Sequence, residues 1–399
     1  MADRWLTRPV AGIGAASLLS DVGHEVPTAL LPGFLTATLG APAAALGLIE
    51  GIADGGAGVA KLVGGAIADD PKRRVPTAVG GYATTAVLSG LIGVTTAAWQ
   101  VAVLRTGAWA ARGIRGPSRN AILADAVPAS AYGRAYGFER AMDNLGAVLG
   151  PLLALALVAL TSVRTAMLIA IVPGLCAALA ILYAARFVAT PKVRAHPKLR
   201  IRIRPVLRGQ LGRLMLAIAA FELGNLAATL LILRATELLT PSRGQDAATE
   251  LALLLYLAYN VAGTLSSVPA GHVGDRRGTT RALAFGVVSF LLAYVGLAVV
   301  GANAAALAVL FVLAGVGIGF VETAESAAVA THAPEEIRGS AFGLLAATQS
   351  IGNLLASGIA GLLWTVASPG VAFAWAATWM ALSLALLSGQ LLREVGLNR

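Results

Sequence analysis

Three titratable side chains sit three and four residues apart in an apolar stretch near the start of the chain: Asp21, His24 and Glu25. That spacing places them on one face of a helix. Two carboxylates and an imidazole in dry surroundings suit the binding and release of protons, because burial and neighbouring charges move their titration toward physiological pH. The same trio, completed by Glu50 or Asp54, also offers the nitrogen and oxygen ligands of a first-row divalent metal. Further charges follow inside apolar stretches. Glu50, Asp54 and Lys61 form one stripe, and Arg105, Arg112, Arg115 and Arg119 another; then come Glu139, Arg140 and Asp143, Glu222 with Asn225, and Glu322 with Glu325. A charge at the centre of a bilayer costs about 2.5–3.5 kcal/mol, so such residues read as functional. We assign solute binding and proton coupling to Asp21, His24, Glu25, Glu50, Asp54, Arg105, Arg112, Asp143, Glu222 and Asn225.

The elements that must position these groups are membrane spans. Of 399 residues, 57% are hydrophobic and only 13% charged, against about 25% charged in soluble domains, and the mean hydropathy is +0.77. A window of about 20 apolar residues finds twelve candidate spans. They lie near 9–38, 43–67, 75–95, 98–120, 134–158 and 164–187, then 210–236, 250–271, 280–300, 303–326, 340–365 and 370–392. The net charge of +10 sits in alternate loops, at Lys72-Arg73-Arg74, Arg134, Lys192 to Arg208, Arg276-Arg277-Arg281 and Arg338, with Arg393 and Arg399 at the end. By the positive-inside rule both termini are cytoplasmic, which requires an even number of spans. The basic charge therefore faces anionic lipid and not nucleic acid. The single cysteine, Cys176, excludes an intrachain disulfide and a multi-cysteine metal cluster. No H-E-x-x-H, G-x-S-x-G or Walker A pattern is present, which disfavours an enzyme or an ATP-driven pump.

The polar, proline-containing stretch from Thr190 to Arg208 divides the chain into two halves. The expected organisation is a six-helix bundle over 1–188, a cytoplasmic basic linker over 189–209, and a second six-helix bundle over 210–399. The halves repeat at one offset of 206 residues: Gly65 and Asp69 match Gly271 and Asp275, and Pro128, Gly133, Ala135, Gly137 and Gly146 match Pro334, Gly339, Ala341, Gly343 and Gly352. A parallel repeat of this kind produces two bundles related by a pseudo-two-fold axis.

The turn Gly65-Ala-Ile-Ala-Asp69-Asp70-Pro71-Lys72-Arg73-Arg74 resembles the G-x-x-x-D-R-x-G-R/K loop of the major facilitator superfamily. The copy Gly271-His-Val-Gly-Asp275-Arg276-Arg277-Gly278 is similar through its last glycine. Gly146-Ala-Val-Leu-Gly150-Pro151 looks like the span-5 motif of the family's antiporters, and Leu104-Arg105 resembles its span-4 arginine motif. The resemblance implies an all-α fold of twelve transmembrane helices in two pseudo-symmetric bundles, with spans 1, 4, 7 and 10 around the transport path. It also implies a cytoplasmic latch, so Gly65, Asp69, Arg73, Gly271, Asp275 and Arg276 are assigned to gating. Arg119, Glu322 and Glu325 join them, with Arg119 and Glu325 expected to pair. The antiporter-like Gly146, Gly150 and Pro151 favour export. The expected function is proton-coupled antiport of a small organic solute or drug across a bacterial inner membrane, by a monomer that uses a proton gradient and no cofactor. The alternatives are divalent-metal export through Asp21, His24 and Glu25, and a non-transporting membrane sensor.

Overall fold

A computed structural model describes residues 5–189 and 200–397. Most of the basic linker, including Lys192, and the terminal Arg399 fall outside the described residues. The chain is all-helical. α1 (Arg8–Gly33) continues into a π-helical turn at Phe34–Thr38. It is followed by α2 (Ala43–Ala68), α3 (Pro71–Leu91), α4 (Ala98–Asp125), α5 (Tyr132–Leu160), α6 (Val163–Ile169) and α7 (Ile171–Ala185). After the linker come α8 (Ile203–Val206), α9 (Gly209–Gly224), α10 (Ala228–Arg243), α11 (Gln245–Arg277), α12 (Thr279–Val299), α13 (Ala304–His332), α14 (Arg338–Val366) and α15 (Pro369–Leu397). Among the described residues, nine helical stretches are long and apolar enough to cross a membrane. α1, α2 and α4 are not among the nine, although they contain 26, 26 and 28 residues. Each of them holds charged residues well inside its length.

The expected seventh span is not one helix. α9 stops at Gly224, and Asn225 takes an extended conformation before α10 begins at Ala228. Inside an apolar helix a broken turn needs side-chain partners for its backbone groups. Tyr294 Oη accepts from the Leu226 N–H at 3.2 Å, Ser357 Oγ accepts from the Ala227 N–H at 2.9 Å, and Asn353 donates to the Asn225 carbonyl at 3.2 Å. Gly224-Asn225 is a helix-stop pair in the sequence, but the apolar run around it hides the signal.

The two copies of the repeated loop solve one turn differently. Gly278 closes α11 with φ +93°, a left-handed value that favours glycine. The first copy has Lys72 at the matching position. There Asp70 caps α3 by accepting from the Lys72 N–H at 3.1 Å, and Pro71 occupies the first turn.

The helices form two compact units. One holds residues 1–131, 142–206 and 333–347; the other holds 132–141, 207–332 and 348–399. Thus the first turns of α14 belong to the first unit and the first turns of α5 to the second. Glycine makes these approaches possible. A Cβ on Gly65 would lie 2.8 Å from the Gly339 carbonyl oxygen and from Gly343 Cα, and Gly271 meets Gly133 backbone to backbone. Elsewhere in the first unit, Gly146 of α5 faces α1, where a Cβ would lie 2.7 Å from the Leu18 carbonyl oxygen and 2.8 Å from Asp21 Cβ. Gly150, one turn on, faces Glu25 Cβ in the same way.

We expect Gly146→Val to destabilise the protein by about 1–3 kcal/mol through overpacking, seen as a lower melting temperature in detergent. A Cβ on Gly358 would meet no neighbour within 4 Å, so Gly358→Ala should stabilise α14 by about 0.5–1 kcal/mol. Equal effects at the two positions would contradict the packing described here.

Candidate functional site

In the first unit, charges of α1, α2 and α4 pair with one another and with α5. Arg105 Nη2 lies 3.0 Å from Glu50 Oε1, and its Nη1 donates to Thr28 Oγ1 at 3.0 Å. Its guanidinium also stacks on the Trp109 ring at 3.5 Å, and the Trp109 indole N–H donates to Asp54 at 2.8 Å. Arg119 donates to Ser17 at 3.0 Å and lies 3.6 Å from Asp143. Arg115 is buried with its guanidinium 3.9 Å from the Tyr82 ring. Removing one member of a buried pair strands its partner and typically costs about 3–5 kcal/mol, so these contacts fix the helices as a set.

His24 lies at the centre of this arrangement and is buried together with Asp21. A carbonyl only accepts, so the 3.0 Å contact between His24 Nδ1 and the Ser20 carbonyl places a proton on Nδ1. The same Nδ1 is 3.3 Å from Asp21 Oδ1. On the other side of the ring, Nε2 faces two groups of opposite demand. Arg112 Nη1 donates to it, while Glu25 Oε1 lies 3.2 Å away and can only accept while ionised. Neutral His24 satisfies Arg112; protonated His24 would satisfy Glu25. Arg112 also reaches Asp21 at 3.4 Å, and its side chain keeps 34% of its exposure. The edge of the Trp109 ring packs against His24 with centroids 5.7 Å apart. Asp21, His24, Glu25, Arg112, Arg105, Glu50 and Asp54 are therefore one connected group. Trp109 is the member that sequence reading missed, because a tryptophan in an apolar helix carries no charge signal. Among the described residues, no group of three or more His, Cys, Asp or Glu is placed to hold a metal ion; an arginine occupies the imidazole face that a metal would need.

The latch residues cap helices. Asp69, just past α2, accepts from the backbone N–H of Ser340 at 2.8 Å and from its hydroxyl at 2.5 Å, at the N-terminus of α14. In the second unit Asp275 accepts from the N–H groups of Gly133 and Arg134 at 2.6 and 3.1 Å, at the N-terminus of α5, and its carboxylate is 2.7 Å from Arg134 Nε. Helix N-termini favour such anions through free N–H groups and the macrodipole. Arg73 stays local, 3.2 Å from Asp70, and Arg276 is exposed at the end of α11. A third carboxylate, Asp125 at the end of α4, bridges Arg74 at 2.5 Å and Arg338 at 3.2 Å. It was not expected, because it lies outside the repeated loops.

The second unit gathers Arg140 and Glu322, 3.3 Å apart, and Glu325, which accepts from Gln349 at 2.7 Å. The expected partner of Glu325 was Arg119; its hydrogen-bond partner is this amide, and Arg119 is held by Ser17 and Asp143. Glu222 accepts from Asn225 at 3.0 Å at the break between α9 and α10.

The sequence pattern of the Major Facilitator Superfamily matches residues 13–247 and 214–395. The chain belongs to the Major Facilitator Superfamily. It is accordingly a multi-pass membrane transporter of small molecules and not an enzyme. An uncharacterized MFS-type transporter of Methanocaldococcus jannaschii is 29% identical over 398 residues, covering 98% of this chain and 95% of the relative. The gentisate transporter of Corynebacterium glutamicum is 34% identical over 142 residues, 34% of this chain and 31% of that protein. Among solved structures, a bacterial homologue of the iron transporter ferroportin in the outward-facing state superposes with a TM-score of 0.78 at 18% identity, covering 96% of this chain and 99% of that one. At that identity the likeness is one of fold.

Burial lifts the Asp69 carboxyl above its ordinary value, while the two donations from Ser340 pull it down. A carboxyl raised in the folded state binds a proton more readily there, so its contribution to stability grows on acidification and fades as pH rises. Melting temperature measured from acidic to neutral pH should therefore lose part of its downward slope in Asp69→Asn. An unchanged slope would contradict this assignment.

Proposed function

We propose that this MFS transporter is a proton-coupled antiporter that exports a small organic solute, with the Asp21–His24–Glu25–Arg112 group as its coupling site. The observation that carries the reading is the double face of His24 Nε2, with the Arg112 donor and the Glu25 acceptor both in reach. A proton arriving on Nε2 transfers the imidazole from Arg112 to Glu25. The Glu25 side chain keeps 26% of its exposure, so an N–H or O–H donor of a solute competes with protonated His24 for the same carboxylate. Binding one expels the other, which is the logic of exchange. The antiporter-like glycines Gly146 and Gly150 back directly onto Asp21 and Glu25, which supports the same assignment.

On this reading twelve spans form two six-helix bundles, with α9 and α10 sharing the seventh span and α6 and α7 the sixth. Residues 189–209 link the bundles, and both termini face the cytoplasm of a bacterial inner membrane. Asp69 and Asp275, with Gly65 and Gly271, act as the cytoplasmic latch, since each aspartate can hold its helix N-terminus or release it as helices shift. The protein works as a monomer.

The test is transport by the purified protein in liposomes under an imposed pH gradient, with a panel of cationic drugs, organic anions and divalent metals. We expect one organic class to move against protons and Glu25→Gln to abolish the exchange while the protein still folds. Movement of a divalent metal alone, or exchange indifferent to Glu25→Gln, would overturn the reading.

A further inference from the structure

Glu50 and Asp54 stand one turn apart on α2, and Arg105 and Trp109 stand one turn apart on α4. They meet as two rungs. In the first, Arg105 Nη2 lies 3.0 Å from Glu50 Oε1. In the second, the Trp109 indole N–H donates to Asp54 at 2.8 Å. A neutral ring thus stands where a second arginine would have paired the acid. Among the described residues no basic side chain forms an ion pair with Asp54; Arg105 is within electrostatic reach but is committed to Glu50. Lys61 lies two turns further along α2, roughly 10 Å away by helix rise. Asp54 sits near the middle of α2 (Ala43–Ala68), where a charge without its counter-charge is costly in a membrane.

The surroundings of Asp54 leave room for that counter-charge to come from outside. Asp54 is exposed and Trp109 half-buried. Gly47, Gly51 and Gly58 share the stripe of α2 that carries Asp54, and a Cβ on any of them would meet no neighbour within 4 Å. The indole already attracts cations, with the Arg105 guanidinium 3.5 Å and the Arg112 guanidinium 5.8 Å from its centroid. Three carboxylates keep exposure here, Glu25, Glu50 and Asp54, against one arginine that does, Arg112. An organic anion is therefore disfavoured. An aromatic face prefers a bulky, weakly hydrated cation to a hydrated metal ion.

We propose that Asp54 and Trp109 are specificity-determining residues that bind the solute, and that this solute is an organic cation with a flat or aromatic body. Its charge completes the second rung, and its body lies along the glycine strip against the indole. The ring of Trp109 also packs against His24, so a cation held there and a protonated imidazole repel each other. The inference names the solute of the exchange proposed above and rests on that reading for transport, though not for binding.

The test is binding of tetraphenylphosphonium to the purified protein at constant pH, with no gradient, and of tetraphenylborate as an anion of the same shape. The wild type should bind the cation and not the anion. Asp54→Asn should weaken cation binding about tenfold. Trp109→Leu should weaken it several-fold, and Trp109→Phe, which keeps a ring, by less. Asp54 is exposed, so Asp54→Asn keeps the proposal open to refutation if the Trp109 variants do not fold. No binding of the cation, equal binding of the anion, or cation binding indifferent to Asp54→Asn would overturn it. The two readings fail separately. Cation binding lost in Asp54→Asn, with no exchange under a pH gradient, would uphold this site and defeat the antiport. Exchange of protons for an organic anion would uphold the antiport and defeat this site.

Discussion

A charge held among apolar helices must find its counter-charge there. The first unit depends on that constraint. The three long helices outside the nine apolar stretches, α1, α2 and α4, share their charges with one another and with α5: Arg105 with Glu50, Arg112 with Asp21, and Arg119 with Asp143 on α5. None of these helices is at home in lipid without the others. The same pairing that makes the bundle cohere fixes His24 between a donor and an acceptor, and so turns a structural necessity into a switch that one proton can throw.

The two halves share a plan and distribute charge differently. At the offset of 206, Arg119 of the first half becomes Glu325 of the second. In one unit the arginine meets Asp143; in the other the glutamate meets an amide. The latch obeys the repeat more closely, with an aspartate at a helix N-terminus in each unit. It departs where the chain has other ways to make a turn, with Asp70 and Pro71 standing in for the left-handed glycine of the second copy.

The parts legible in the sequence were those with a period or a charge. The positions of nine apolar helical stretches followed from apolar length, the repeat from a single offset, and the charged group on α1 and α4 from residues that lipid does not tolerate unpaired. The hidden parts had neither signal. Trp109 is a neutral residue in a helix and acquires its role only from the guanidinium above it and the carboxylate beside it. Asp125 sits at a helix end, where an acid draws no notice until Arg74 and Arg338 arrive from distant segments. The break at Asn225 was masked because flanking leucines and alanines keep the window apolar, and its stability comes from Tyr294, Asn353 and Ser357, more than sixty residues away in the chain. That the first turns of α5 and α14 each belong to the unit opposite their own half could not be read from composition at all; it follows from the helix caps and the glycine contacts.

Everything proposed for transport rests on protonation moving His24 from Arg112 to Glu25. Nitrogen NMR on histidine-labelled protein in lipid vesicles reads this step across pH. The expected spectrum has a proton on Nδ1 and a bare Nε2 at high pH, then protonation of Nε2 on acidification. In Glu25→Gln that step should move to lower pH. A His24 titration unmoved by Glu25→Gln, or an Nε2 protonated at every pH, would contradict it.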